Sequence, residues 1–204
     1  MLKIAVLASG RGTNLQALID AQEKGELGAE IAIVISDKKD AMALDRARNH
    51  RVPAAFIDPK GKKREEYDRE IMAELEKRGV GLVVLAGYMK LMSPGFVDAY
   101  RNRIINVHRS LLPAFPGGLA DAHARALEHG AKVTGCTIHF VDEGEDTGPI
   151  ILQKAVEIAE GETLDSLDAK ILAEEHKLLP LAVKLFAENR LKIEGRRVRI
   201  TGGN

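Results

Sequence analysis

A single cysteine, no tryptophan and an aromatic content of 4% leave this 204-residue chain with few of the usual anchors. One thiol, Cys136, cannot close an internal disulfide. A chain of this length can nevertheless bury a core without disulfides or metals. Charge of one sign is also missing: 30 basic and 30 acidic residues cancel to a formal net charge of zero. No overall field therefore recruits nucleic acid or an anionic membrane surface, and an anionic ligand has to be held by a local site. Long apolar runs are absent too, since a stretch such as Val80 to Ala86 falls far short of the roughly 20 residues that cross a bilayer. With the first expected strand opening at Leu2 and no leader ahead of it, the chain is expected to be cytoplasmic. No repeat, low-complexity tract or linker divides it, so a single domain over residues 1–204 is expected.

What is present is a regular alternation. "LKIAVLA" from Leu2 is a short branched apolar run that stops at a glycine cluster, and a helical pattern follows in "TNLQALIDAQEKG". The same succession recurs in "EIAIVIS" and "AMALDRARNH", then in "PAAFID" and "KREEYDREIMAELEKRG", before "VGLVVLAG" and "RIINVH". Strands alternating with helices predict an α/β protein with a mostly parallel sheet covered by helices on both faces. Beyond it the pattern predicts a helix near Asp121 to His129, strands in "VTGCTIHFV" and "IILQKAVEIA", a long helix from about Thr163 to Asn189 and a terminal hairpin. Such sheets host many chemistries, so fold alone assigns none, but their sites form at the carboxyl ends of the strands.

Three stretches could carry chemistry there. In "SGRGTNLQAL", Gly10 and Gly12 allow a tight turn whose amides, with the following helix N-terminus, suit an anion such as phosphate. A dinucleotide fingerprint would need glycine where Leu15 stands, and the P-loop lysine is absent, which favours a phosphate monoester. The plainer alternative is a glycine turn with Thr13 capping the helix. In "INVHRSLLPAFPGG", Asn106 and His108 lie two apart on a strand and so share one face. An amide and an exchangeable imidazole proton there could stabilise an oxygen that turns anionic during acyl transfer. In "VDEGEDTGPI", four carboxylates sit in a glycine-containing loop, but calcium-loop spacing is missing and no metal is expected. A carboxylate from this loop could hold His108. Cys136 reads as core, His139 is open between core and site, and His123 and His129 read as solvated helix residues, His123 being near enough to the glycine loop to approach a ligand.

Taken together these segments resemble the folate-dependent phosphoribosylglycinamide formyltransferases. The resemblance is carried by "SGRGTNLQAL", "LAGYMKLMS", "INVHRSLLPAFPG", "TGCTIHFVDEGEDTGPII" and "EEHKLLP", in family order over essentially the whole chain. It implies a Rossmann-like formyltransferase fold, with a phosphate-binding half at 1–103 and a catalytic and folate-binding half at 104–204. It also implies transfer of a formyl group from 10-formyltetrahydrofolate, as co-substrate, to the amine of 5-phosphoribosylglycinamide in purine biosynthesis. Asn106, His108 and Asp146 match the catalytic trio. Gly12, Thr13, Asn14 and Glu175 match the substrate side. Arg64, Met89, Lys90, Leu91, Met92 and Asn106, with Asp142, Glu143, Gly144, Glu145 and Asp146, match the folate side. Small-molecule partners, no nucleic acid, no membrane, and a monomer or homodimer are expected.

The chain departs from the family pattern in two places. Arg109 stands where proline usually follows the histidine, and a guanidinium held close would disfavour a protonated imidazole, so Arg109 is expected to turn toward solvent or a carboxylate. "FPGGLADAHARAL" is two residues longer than usual, which a loop tolerates; Asp121 and His123 are candidate contacts there. Three other readings compete. A formyltetrahydrofolate hydrolase is expected to carry a further N-terminal domain, methionyl-tRNA formylation to need a basic tRNA-holding domain, and a sugar-phosphate sensor to bind without turnover.

Overall fold

In the computed structural model, residues 1–117 and 122–202 are described. The first half alternates as its apolar periodicity predicts: β1 (Leu2–Leu7), α1 (Thr13–Glu23), β2 (Ala29–Ser36), α2 (Met42–Asn49), β3 (Ala54–Phe56), α3 (Arg64–Lys77) and β4 (Leu82–Leu85). A short helix α4 (Pro94–Ala99) leads into β5 (Ile104–His108). After α5 (Ala122–Glu128) come β6 (Val133–Phe140), β7 (Ile150–Glu157), the long α6 (Leu164–Ala187), and the hairpin β8 (Leu191–Glu194) and β9 (Arg197–Ile200).

All of these strands join one sheet in the order β3-β2-β1-β4-β5-β6-β7-β9-β8. The first five run parallel, β6 turns antiparallel to β5, and β7 antiparallel to β6. β9 pairs parallel with β7, and the β8–β9 hairpin extends that edge. Side chains on a strand alternate between faces, and β1 shows how two cores follow from this. Ile4, Val6 and Ala8 pack with Leu15 and Leu18 of α1, Leu44 of α2 and Val183 of α6. Ala5 and Leu7 face the other way, onto Ile71 and Leu75 of α3 and Phe96 of α4. Every one of these residues is buried, which is why strands in the middle of the sheet read as unbroken apolar runs.

The order reverses between β1 and β4, and the loops leaving their carboxyl ends part there to open a crevice. Two local devices shape that end. Gly12 caps α1 with left-handed backbone (φ 69°), and a Cβ on it would stand 2.7 Å from Ala43 Cα, so only glycine lets the loop lie against α2. Thr13 is thus the first helical residue, and no side chain caps this helix, contrary to the plainer reading. Helix α4, unanticipated from the periodicity, is only six residues long; the Ser93 hydroxyl accepts from Phe96 N at 3.3 Å and Pro94 takes the first turn. Among the described residues no helix is long and apolar enough to cross a membrane.

Candidate active site

The glycine loop lines a small cavity of about 130 Å³ at the β1/β4 crevice. Gly12, Thr13 and Asn14 form one wall, Ala86 and Gly87 another, and Arg109 and Glu175 come in from β5 and α6. The four residues expected on the substrate side, Gly12, Thr13, Asn14 and Glu175, are therefore brought together. Glu175 is 1% exposed and accepts from Asn14 Nδ2 at 2.8 Å. Burial pushes its carboxyl above the usual range, against the pull of Asn14 and Arg109.

A larger cavity of about 330 Å³ opens on the other side of the β4 end, which supplies Leu85, Tyr88 and Met89 to its wall. Its lining contains Met89, Lys90, Leu91 and Met92, and Asn106, Gly144, Glu145 and Asp146. The 89–92 segment is pinned at both ends: Met89 N donates to Ser9 Oγ at 2.9 Å, and Ser93 N donates to Asp68 Oδ2 at 2.6 Å. Behind it Tyr88 donates its hydroxyl to Tyr67 at 3.0 Å, and burial pushes the Tyr67 phenol up to about 12. Lys90 rests over the Tyr67 ring, 5.8 Å from its centroid.

At the inner end of this cavity the strand register assembles a polar cluster. Asn106 of β5 stands directly opposite His139 of β6, so the two project to the same face. His139 Nδ1 lies 2.8 Å from Phe140 O, and its Nε2 lies 3.1 Å from Asn106 Nδ2. Asp146 reaches in from the loop after β6, with Oδ1 3.5 Å from both Asn106 Nδ2 and His139 Nε2. Its Oδ2 accepts from Gly117 N at 2.9 Å and lies 3.1 Å from His108 Nδ1. Burial alone would raise this carboxyl, but the two imidazoles and the Gly117 amide outweigh it and hold Asp146 far below the usual range. His108 Nε2 donates to Phe115 O at 3.0 Å. Phe115 O thus faces one ring nitrogen of His108 and Asp146 the other.

Backbone strain gathers here as well. Asp146 (φ 54°) and Phe115 (φ 50°), the two partners of His108, both adopt left-handed backbone, a conformation costing of order 1–3 kcal/mol for a non-glycine residue. The loop carrying Asp146 tolerates no bulk: a Cβ on Gly148 would stand 1.8 Å from Phe140 O. A half-buried amide, two imidazoles and a carboxylate, set between the glycine loop and a partly apolar cavity, are equipped to stabilise negative charge on an acyl oxygen and to relay a proton.

Residues 2–183 match the family model described as "Formyl transferase". The chain belongs to the formyl transferase family. The phosphoribosylglycinamide formyltransferase of Escherichia coli (strain K12) is 41% identical over 197 residues, covering 94% of this chain and 90% of that one. The crystal structure of glycinamide ribonucleotide transformylase 1 from Symbiobacterium toebii superimposes with a TM-score of 0.96 at 52% identity, covering 99% of this chain and 95% of that chain. A formyltetrahydrofolate deformylase from Pseudomonas syringae pv. tomato str. DC3000 shares the fold with a TM-score of 0.91 at 26% identity, covering 98% of this chain and 66% of that chain.

Not every expected site residue of this formyltransferase meets a cavity. Arg64 opens α3 at the protein surface and lines neither cavity. Asp142 closes its own turn, accepting from Gly144 N at 3.1 Å and Thr147 Oγ1 at 2.6 Å, while Glu143 pairs with Arg101. His108, 1% exposed, lies behind Asp146 rather than on the wall of the larger cavity. Asp121 lies outside the described residues. His123 is not solvated: it is 3% exposed and its Nδ1 bonds to Asp168. Cys136 is fully buried, and burial pushes its thiol up to about 12, in keeping with a core role.

The polar cluster also includes residues that local sequence patterns leave open or out. His139 enters because an antiparallel register pairs it with Asn106, a fact that no local pattern encodes. Phe115 enters through its carbonyl, for which side-chain identity gives no signal. Arg109 turns to carboxylates as expected, with Nη2 3.3 Å from Asp168 Oδ1 and Nε 3.5 Å from Glu175 Oε1. A wider groove of about 590 Å³ between α1, α2 and α6 shares Thr13 with the glycine-loop cavity but holds none of the polar cluster.

Proposed function

We propose that this formyltransferase moves the formyl group of 10-formyltetrahydrofolate to the amine of 5-phosphoribosylglycinamide, giving the N-formyl product and tetrahydrofolate in purine biosynthesis. The observation that carries the reading is the placement of the Asn106, His139 and Asp146 cluster at one end of the 330 Å³ cavity, with the glycine-loop cavity on the other side of the β4 end. One cavity suits a folate and the other a ribose phosphate, and the acyl-transfer groups stand where the two substrates would meet. In this reading each side draws on both halves of the chain: the 89–92 segment of the first half faces the folate, and Glu175 of the second faces the amine substrate.

In this reading the glycine-loop amides and the α1 N-terminus take the phosphate, with Thr13 and Asn14 beside them. Met89 to Met92 and the 144–146 loop hold the folate. The amine attacks the formyl carbon directly, forming the new C–N bond; charge developing on the formyl oxygen is offset by the Asn106 amide and by the His108 ring that Asp146 orients. As the bond to the folate nitrogen breaks, that nitrogen receives the proton that the amine gives up, through the same cluster or water. Contact of a substrate atom with His108 requires the Phe115 carbonyl to leave Nε2. The chain needs neither a covalent nucleophile nor a metal for these steps, and it works with small molecules in the cytoplasm.

The test is spectrophotometric deformylation of 10-formyltetrahydrofolate, or its dideaza analogue, with and without phosphoribosylglycinamide, in the parent and in His108→Ala. Deformylation that requires the amine and collapses in the variant supports the transferase. Deformylation without acceptor would replace it with the hydrolase reading, the chemistry named for the Pseudomonas relative.

A further inference from the structure

Arg109 follows His108 out of β5, yet its side chain leaves the catalytic cluster and runs to α6. Its guanidinium contacts Asp168 and Glu175, which are seven residues apart and so stand two turns apart on one helix face. Asp168 is held in turn by buried His123 of α5, and Glu175 by Asn14 of α1. A continuous set of polar contacts therefore runs Asn14, Glu175, Arg109, Asp168, His123, and Arg109 is the member with a permanent positive charge.

Glu175 depends on such a partner. Its Oε1 makes no hydrogen bond among the described residues, and a buried carboxylate left alone takes up a proton instead of staying charged. The groups around it are few. Asn14 faces it from α1, Arg109 from the end of β5, and Asp168 adds like charge from α6 itself; Cys136 of β6 and neighbouring Glu174 share its surroundings. Gly12, Thr13 and Arg11 complete the cavity into which it looks.

We propose that Arg109 is a positioning residue: clamped by Asp168, it fixes the Glu175 carboxylate in the wall of the glycine-loop cavity as an acceptor for the N–H or O–H donors of the amine substrate. This rests on the substrate assignment made above for that cavity. It gives a defined task to a residue that departs from the family pattern, and it ties α5 to substrate binding through His123 and Asp168.

The experiment compares the parent with Arg109→Met, Arg109→Lys, Glu175→Gln and the Arg109→Met/Glu175→Gln double variant. Arg109→Met is expected to raise KM for phosphoribosylglycinamide roughly tenfold or more, the scale of a hydrogen bond to a charged group, while KM for the folate stays within about twofold. The acid limb of kcat/KM for the amine substrate is expected to move to higher pH. Without the guanidinium the Glu175 carboxyl rises further, so its ionised form appears only at higher pH. Arg109→Lys, which keeps the charge, should restore part of both effects, and in the Glu175→Gln background the loss of Arg109 should add nothing. Parent-like KM and pH profile in Arg109→Met, or the same shift in the Glu175→Gln background, would overturn the proposal. So would an equal rise in both KM values with a parallel loss of thermal stability. A carbon-13 titration of the glutamate carboxyls in the unliganded protein, with Glu175→Gln to assign the signal, reads the same effect without turnover. If the parent transfers no formyl group, the functional reading fails, while this titration still decides the role of Arg109.

Discussion

Replacing Asp146 with asparagine removes one negative charge and little else. The side chains are nearly the same size, and the asparagine oxygen can still accept from Gly117 N, now at 2.9 Å from Asp146 Oδ2. What disappears is the carboxylate charge beside His108, whose Nδ1 is 3.1 Å from Oδ2. At that separation two unit charges in an effective dielectric of about 20 attract by roughly 5 kcal/mol, an upper bound on what the pair offers a transition state with charge at His108. A remaining amide contact recovers part of this, which leaves about 3–4 kcal/mol, or a fall of roughly 10²–10³ in turnover, the range found when an oxyanion-stabilising donor is lost. KM for the amine substrate should change by less than about threefold, because Glu175 and the glycine loop are untouched. The assay is steady-state formyl transfer at saturating concentrations of both substrates, with the thermal midpoint measured in parallel. Turnover within threefold of the parent, in a folded variant, would show that the Asp146 and His108 pair does not carry the charge of the reaction.

Asn106→Ala should cost on the order of a hundredfold in turnover through loss of its amide donor, and circular dichroism should show the sheet intact. In the stability of the unliganded protein, the depressed Asp146 carboxyl contributes above the unfolded value of about 4 and is lost as pH falls through that value toward the folded one; Asp146→Asn should therefore lose stability less steeply on acidification, measured by urea unfolding across pH. Gly12→Ala should lower stability by about 1–3 kcal/mol and raise KM for the phosphorylated substrate more than for the folate, since left-handed backbone and the Ala43 contact both oppose a Cβ. Cys136 should resist alkylation in the native protein at pH 8 and react only on unfolding, as mass spectrometry of iodoacetamide-treated samples would show.

The alternation of β1 to α3 was legible because each element announces itself locally, by apolar runs in strands and by helical spacing between glycine breaks. The pairing of Asn106 with His108 on one face followed from the period of two along a strand. What the sequence does not display is distance. His139 joins the site through a register between strands, and Arg109 finds Asp168 and Glu175 some sixty residues away on a helix. His123 looked like an exposed helix residue because its partner is on another element. Arg64 and Asp142 show the converse: a motif match transfers residue identity, while the backbone decides whether the side chain faces a cavity.

The register that sets Asn106 opposite His139 divides the polar cluster into a fixed part and a hinged one. The first two groups are neighbours across a hydrogen-bonded ladder, so their spacing can change only if the sheet itself gives way. Asp146 arrives on a loop with left-handed backbone, tethered by the Gly117 amide on a second loop. A small displacement of either loop would withdraw the negative charge while leaving amide and imidazole at their mutual distance, so the protein can lose its electrostatic poise without losing its shape.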